Sequence, residues 1–323
     1  MHTRAWRGNE VVATDFAISE VSEHLDHPDQ FVWVDLCAPD IETLRSLARE
    51  LGIHELAIED ASSEHQRPKL DRYPTHSFLS CHALRWAGDH SAAIAETEID
   101  CIIGRRWLIT VRHDDGFPIE PVIQRWEDSA QLLSCGVKFL LYGLLDVVVD
   151  GYFDAVNHFD DYYDEVSDGL FADEPLDPRQ QRDWFETRRS LVRFHRLVAP
   201  MREVVSGIMR RDETSLEEPI YPYYQDLYDH VLRIIEATDA VRDLMATIVE
   251  TNLSLRDYRQ NIIMKKVTSW AAIIAVPTLV TGWYGMNVPY PGFARHWGVW
   301  ASLVIMVGAA GALYGMFRRK EWI

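Results

Sequence analysis

The sequence predicts an α+β domain that passes into a long helical stalk and ends in two transmembrane helices. Three observations carry this. Short alternating apolar runs occupy the first part of the 323-residue chain. Helical patterns with few breakers take over from Val137. Two uncharged stretches, Val267 to Ala294 and Trp297 to Phe317, lie at the end. The expected division is 1–130 for the cytoplasmic α/β domain, 131–263 for the acidic helices and stalk, and 264–323 for the membrane domain with its basic tail.

In the first domain FVWVDL, residues 31–36, alternates and looks like a strand, and a helix is expected at Ile41 to Leu51. Ser77 to Leu84 and Glu98 to His113 read as further strands, the second folding back at Gly104. Helical runs are expected from Val137 and over about Arg182 to Arg211, before the acidic stretch Asp212 to Pro222. A third begins near Tyr224 and meets no breaker until Pro277. At ~1.5 Å per residue it would be on the order of 80 Å long. Such a helix needs neighbours along its length.

The segments Val267 to Gly285 and Trp297 to Phe317 are about long enough to cross a ~30 Å hydrocarbon core. Both carry Trp or Tyr near an end, as interface anchors do. Lys265 and Lys266 precede the first span, and Arg318, Arg319 and Lys320 follow the second. Basic residues on both flanks place both termini in the cytoplasm and the loop from Asn287 to His296 outside. Pro277 removes one backbone donor within the first span and is expected to bend it. The opening MHTRAWRGNE has no apolar core for a signal peptide, so the body is expected to stay in the cytoplasm.

The formal net charge is −18, and after Asp257 the only acid is Glu321. An acidic body of this kind repels nucleic acid and attracts cations, although a solvated acidic face has the same composition. Four cysteines, none in a CxxC pair, exclude a disulfide framework and read as small buried residues. No GxxxxGK[ST] loop accompanies the acids, which argues against a phosphoryl-transfer enzyme, and no organic cofactor is expected.

Two stripes run along the third helix. Leu227, Val231, Ile234, Thr238, Val241, Met245 and Ile248 follow the four-three spacing of a bundle seam. Glu250, Ser254, Asp257, Asn261, Met264 and Thr268 make a second stripe, continued by Ala271, Ala275, Thr278 and Gly282. That face is polar below the membrane and small or weakly polar within it. It suits a narrow wet pore, and it equally suits small-residue helix packing. Two spans per chain cannot enclose a polar path, so a pore requires several copies.

At the end of the first span stands Tyr284-Gly285-Met286-Asn287. A GMN tripeptide followed shortly by a final span resembles the CorA family of magnesium channels. The likeness extends to LGIHELAIEDASSEHQRPKLDRY at Leu51 to Tyr73, to RWLITVRH, to LLYGLLDVVVDGYF and to the tail RRKEWI. The resemblance implies a homopentameric funnel in the inner membrane, lined by the first span and surrounded by lipid. It implies a divalent-cation pore, magnesium by preference, with Asn287 at the outer mouth and Gly285 and Met286 shaping the turn. Asn261 would form a second polar ring near the cytoplasmic end, with Met264, Thr278 and Gly282 on the same pore face. Magnesium would also be regulatory, bound between subunits by Glu59, Asp60, Asp146 and Asp226. Asp146 and Asp150 interrupt an apolar run, where acids are rare unless paired or metal-bound, so a buried ion pair is the competing account of Asp146.

The loop after GMN departs from the family. It reads VPYPGFARHWG and has Arg295 and His296 where relatives carry a glutamate. This leaves ion choice open among magnesium, zinc, cobalt and nickel within one architecture. A membrane-anchored metal sensor that transports nothing is the reading from a different class.

Overall fold

The computed structural model describes residues 1–87, 94–170, 178–210, 219–293 and 295–323. The chain divides into two compact units, Met1–Ala246 and Thr247–Ile323.

The first unit is built on a seven-stranded sheet of order β2-β1-β3-β7-β6-β5-β4. Its strands are β1 (His2–Arg7), β2 (Glu10–Thr14), β3 (Gln30–Cys37), β4 (Lys69–Arg72), β5 (Ser77–Trp86), β6 (Ile94–Ile103) and β7 (Trp107–Arg112). Strands β3 and β7 pair in parallel; the other neighbours are antiparallel. The helices are α1 (Val21–Leu25), α2 (Ile41–Leu51), α3 (Glu55–Ala61), α4 (Glu120–Asp128), α5 (Val137–Leu170), α6 (Pro178–Val198), α7 (Met201–Met209), α8 (Tyr221–Tyr284) and α9 (His296–Arg319). Strand alternation sends Phe78, Ile102, Ile109 and Val111 into one core with Val32, Val34 and Leu36, under Leu44 and Leu47 of α2 and Ala57 and Ile58 of α3. Helix α2 starts where Asp40 accepts from the Thr43 N–H at 2.7 Å and stops at Gly52, whose φ is +68°.

The acidic helix α5 packs on the same sheet. Its Tyr152 hydroxyl donates to the His82 carbonyl at 2.6 Å. Trp126 of α4 donates to the Leu140 carbonyl at 3.0 Å and lies edge-on to Trp33. Gly143 is required here: a Cβ on it would stand 2.5 Å from the Trp126 indole nitrogen. The first part of α8 then packs along α5 and α6. Tyr224 donates to the Lys138 carbonyl at 2.9 Å, Phe153 meets His230 edge-on, and His195 of α6 lies 3.3 Å from Asp239.

The expected strands at 31–36 and 77–84, the helix at 41–51 and the fold-back at Gly104 are all present. The second helical run is broken at Ala199–Pro200 into α6 and α7, because Pro200 has no N–H to continue the helix. The acidic stretch expected to end it lies largely outside the described residues. Helix α8 holds 64 residues and stays helical through Pro277. Its seam is sequestered as the spacing predicts, with Leu227, Val231, Ile234, Thr238, Val241, Met245 and Ile248 all buried. Replacing Ile234 by Ala is expected to cost about 3 kcal/mol, because the cavity left in this seam cannot collapse. Denaturant unfolding of the full-length protein in detergent checks this; a loss within experimental error would mean the seam is loosely packed.

One charge network, buried at His82 and open to solvent at Arg193, ties the sheet to α6. His82 of β5 lies 3.0 Å from Glu96 of β6, Arg193 of α6 lies 2.5 Å from the same carboxylate, and His82 also meets the Gln66 carbonyl at 2.6 Å. Burial opposes the charged imidazole, but Glu96 and the Gln66 carbonyl raise His82 above its ordinary 6.5. His82 in turn holds Glu96 below its ordinary 4.5, with Arg193 adding to it. The His82 contribution is complete below pH 6.5 and is lost as pH rises through the higher folded value. The Glu96 contribution is complete above pH 4.5 and is lost as pH falls through the lower folded value. Thermal stability of the full chain is therefore expected to be greatest between pH 4.5 and 6.5 and to fall as pH rises beyond 6.5 through the higher folded value of His82. In His82→Gln that alkaline fall should flatten, while Glu98 and His113 nearby continue to titrate; melting curves against pH decide it.

Candidate ion pathway and regulatory acids

The second unit contains the residues expected to line a pathway. Both helices long and apolar enough to cross a membrane bear their apolar windows almost wholly exposed, 6% and 0% buried. Val267, Trp270, Ile274, Leu279 and Trp283 of α8 stand in the open, as do Val299, Trp300, Leu303, Val304 and Val307 of α9. A water-soluble chain does not expose a surface of this kind, and both helices have the length and composition of a membrane span. The more sheltered positions of α8, Ile262, Ser269, Ala272, Ile273, Val276, Val280 and Tyr284, recur at helical spacing on one side.

The predicted pore face falls elsewhere on α8. Asn261, Met264, Thr268, Ala271, Ala275, Thr278 and Gly282 are all exposed. Thr278 Oγ1 donates back to the Ile274 carbonyl at 3.3 Å, and Thr281 Oγ1 donates to the Pro277 carbonyl at 2.9 Å. Each hydroxyl spends its proton within the helix, which leaves its oxygen lone pairs free to accept.

The helix ends at Tyr284, and the Gly285 N–H closes the last turn on the Thr281 carbonyl at 2.8 Å. Met286 and Asn287 follow, both exposed. The loop beyond is held by aromatic contacts. The Tyr290 hydroxyl donates to the Tyr284 carbonyl at 3.0 Å, and its ring meets Tyr284 and Phe293 edge-on. Gly292, at φ +96°, lets the chain pass so close to Gly298 that a Cβ on Gly298 would lie 2.5 Å from the Gly292 carbonyl oxygen. This packing sets where the GMN turn sits at the end of α8.

The acids of the first unit differ in how free they are. Glu59 and Asp60 lie on α3. Glu59 is exposed, whereas Asp60 pairs with Lys69 at 2.7 Å, and Lys69 also reaches Asp71 at 3.0 Å. Asp226, on the first turns of α8, has a side chain 62% exposed and lies 3.7 Å from His230. Asp146 is 4% exposed and is bonded to Arg125, which reaches Asp150 at 2.8 Å with its other nitrogen. Burial pushes the Asp146 carboxyl up, and the Arg125 charge works against that. The ion pair considered for Asp146 is thus present, and any metal there has to compete with a guanidinium already in place.

Sequence reasoning passed over two features. Arg125, the partner of Asp146, carries no local signal because it comes from another helix. Glu98, Asp100 and His113 come together on the sheet with donor atoms within 4.8 Å of one another. The signal was available: ETEIDCII places three acids, Glu96, Glu98 and Asp100, inside a largely apolar strand, the same anomaly that marks Asp146.

Residues 28–319 match the family model described as CorA-like Mg2+ transporter protein. The cobalt/magnesium transport protein CorA of Thermotoga maritima is 27% identical over 285 residues, 87% of this chain and 80% of that protein. The protein of the same name from Methanocaldococcus jannaschii is 25% identical over 298 residues, 91% of this chain and 92% of that protein. The complete structure of the M. jannaschii CorA magnesium transporter superposes with a TM-score of 0.77 at 23% identity, covering 99% of this chain and 98% of that one. That likeness is one of fold, and it includes the sheet domain, the long helix and both terminal helices. With a model match over most of its length and its two apolar helices in the same order, this chain belongs to the CorA-like Mg2+ transporter family.

Proposed function

We propose that the protein is a Mg2+ channel subunit, assembled as a homopentamer in the cell membrane with both termini in the cytoplasm. The observation that carries this is the exposed stripe on α8 from Asn261 to Gly282, ending at the GMN turn. A membrane anchor has no use for a row of small and hydroxyl-bearing residues that its own second helix leaves uncovered. Ringed by copies of itself, the stripe forms a wet path, with Asn287 amides at one mouth and Asn261 amides near the other. Magnesium dehydrates reluctantly, so neutral amides and hydroxyls that hydrogen-bond its water shell can select it without stripping it.

Regulation follows from the acids. Cytoplasmic Mg2+ bridges Glu59 and Asp60 of one subunit to Asp226 of the next and holds the pore closed. Asp146, bonded to Arg125, stands behind this site and joins it only when the guanidinium yields. When Mg2+ falls, the carboxylates repel one another and the subunits loosen.

The test is ion flux into liposomes holding the purified oligomer, with Mg2+ and Zn2+ indicators. Mg2+ entry supports the proposal. Zn2+ entry without Mg2+ moves the protein to zinc transport, and no entry of either ion leaves the sensor reading.

A further inference from the structure

A polar cluster in the sheet domain has no part in the pathway. Ser80 and His82 of β5 pair directly with Asp100 and Glu98 of β6. His113, just past β7, donates its N–H to the Glu98 carbonyl at 3.2 Å and so stands opposite Glu98. Strand alternation therefore puts all five side chains on one face, in line with Phe78, Ile102 and Val111 of the core. At the apolar end of this face the side chains fill the core; at the other end the fold has buried acids.

Those acids are under-satisfied. Asp100 is 0% exposed, and one of its oxygens takes the His113 Nε2 at 2.9 Å. The other oxygen, Oδ1, is buried with no hydrogen-bond partner among the described residues, and so is the Ser80 hydroxyl in the facing strand. Glu98, 7% exposed, accepts the backbone N–H groups of His65 and Gln66 at 2.6 and 2.9 Å and keeps further lone pairs. A His–Asp hydrogen bond alone accounts for one Asp100 oxygen and leaves the second uncompensated at a cost. A cation among the three side chains would satisfy all of it. Donors within 4.8 Å of one another need only a small closure to surround one ion at ~2.1 Å.

We propose that Glu98, Asp100 and His113 bind one divalent transition-metal ion of the zinc class inside each subunit, with Ser80 or a water as fourth donor. The imidazole decides the class, since nitrogen with two carboxylates suits a borderline ion. Magnesium asks for six oxygens and keeps several waters, which a site between strands does not supply. The ion would fix Glu98, and through it the backbone of His65 and Gln66 in the loop between α3 and β4. The inference stands on the sheet domain and does not depend on what the pore conducts.

The experiment uses full-length protein in detergent, stripped by chelation and re-equilibrated with Zn2+ or Co2+. One ion per chain is expected to stay bound against millimolar Mg2+, with Co2+ giving visible absorption bands of nitrogen and oxygen coordination. Loss of a ligand in His113→Gln or Asp100→Asn should weaken that binding by about 100-fold or more, given that even supporting residues around a metal are worth about 10–100-fold. Asp60→Asn should leave it in place, which separates this ion from the regulatory site. Less than one tight ion per chain, equal binding in His113→Gln, or displacement by Mg2+ overturns the proposal. If both variants misfold, X-ray absorption of the zinc-loaded wild type decides: one imidazole with oxygens supports the site, and a shell of oxygens alone refutes it.

Discussion

Liposomes carrying the Asn287→Ala variant should take up Mg2+ at least ~10-fold more slowly than those carrying wild type, with the oligomer intact. Asn287 is exposed just beyond the end of α8, on a turn closed by the Gly285 N–H and braced by Tyr290 against Tyr284. Its amide offers a donor and an acceptor without charge, which suits the outer waters of a hydrated ion. Alanine removes both and leaves the turn, which is held by backbone and by Tyr290. The loop beyond carries Arg295 and has no acid to gather cations in its place. Uptake unchanged in Asn287→Ala would move selection away from this mouth, and the Thr278 and Asn261 levels would be tested next.

The second large effect concerns closure. In Asp60→Asn/Asp226→Asn, the internal Mg2+ concentration that half-inhibits flux is expected to rise by about tenfold or more, a shift of ~1.4 kcal/mol per linked equilibrium. Asp226 is 62% exposed with His230 3.7 Å away, so its replacement disturbs little of the packing. Asp60 is paired with Lys69, which also holds Asp71, so Asp71→Asn is the control for simply unbalancing that lysine. Inhibition that shifts equally in Asp71→Asn would make the effect one of local charge. Inhibition that shifts in neither would remove the inter-subunit acids from gating.

Much of the fold was legible because its signals are local. The alternation of residues 31–36, the Asp40 cap and Gly52 stop around α2, and the uncharged terminal stretches each need only a short window. The N-terminal hairpin β1–β2 was not read, although Gly8 at φ +59° turns it. Its second strand is mostly exposed on the sheet edge, so the apolar alternation that marks a half-buried strand is missing. The break at Ala199–Pro200 was visible as a proline and passed over within a strong helical pattern.

The candidate site divides along the same line. The pore stripe and the GMN turn lie on one helix and its end, where spacing converts directly into a shared face. The two apolar segments, the buried seam of α8 and the exposed stripe from Asn261 to Gly282 could therefore be read from the order of residues. Which acids are free could not, because folding chooses their partners. Asp146 meets Arg125 from α4, Asp60 meets Lys69 from β4, and Glu98 and Asp100 meet His113 across a strand pair. Arg125 stands 21 positions from Asp146, Lys69 stands 9 from Asp60, and His113 stands 13 from Asp100. A carboxylate's state is set by what lies within a few ångströms of it, and chain separations of this size leave no local pattern to announce the neighbour.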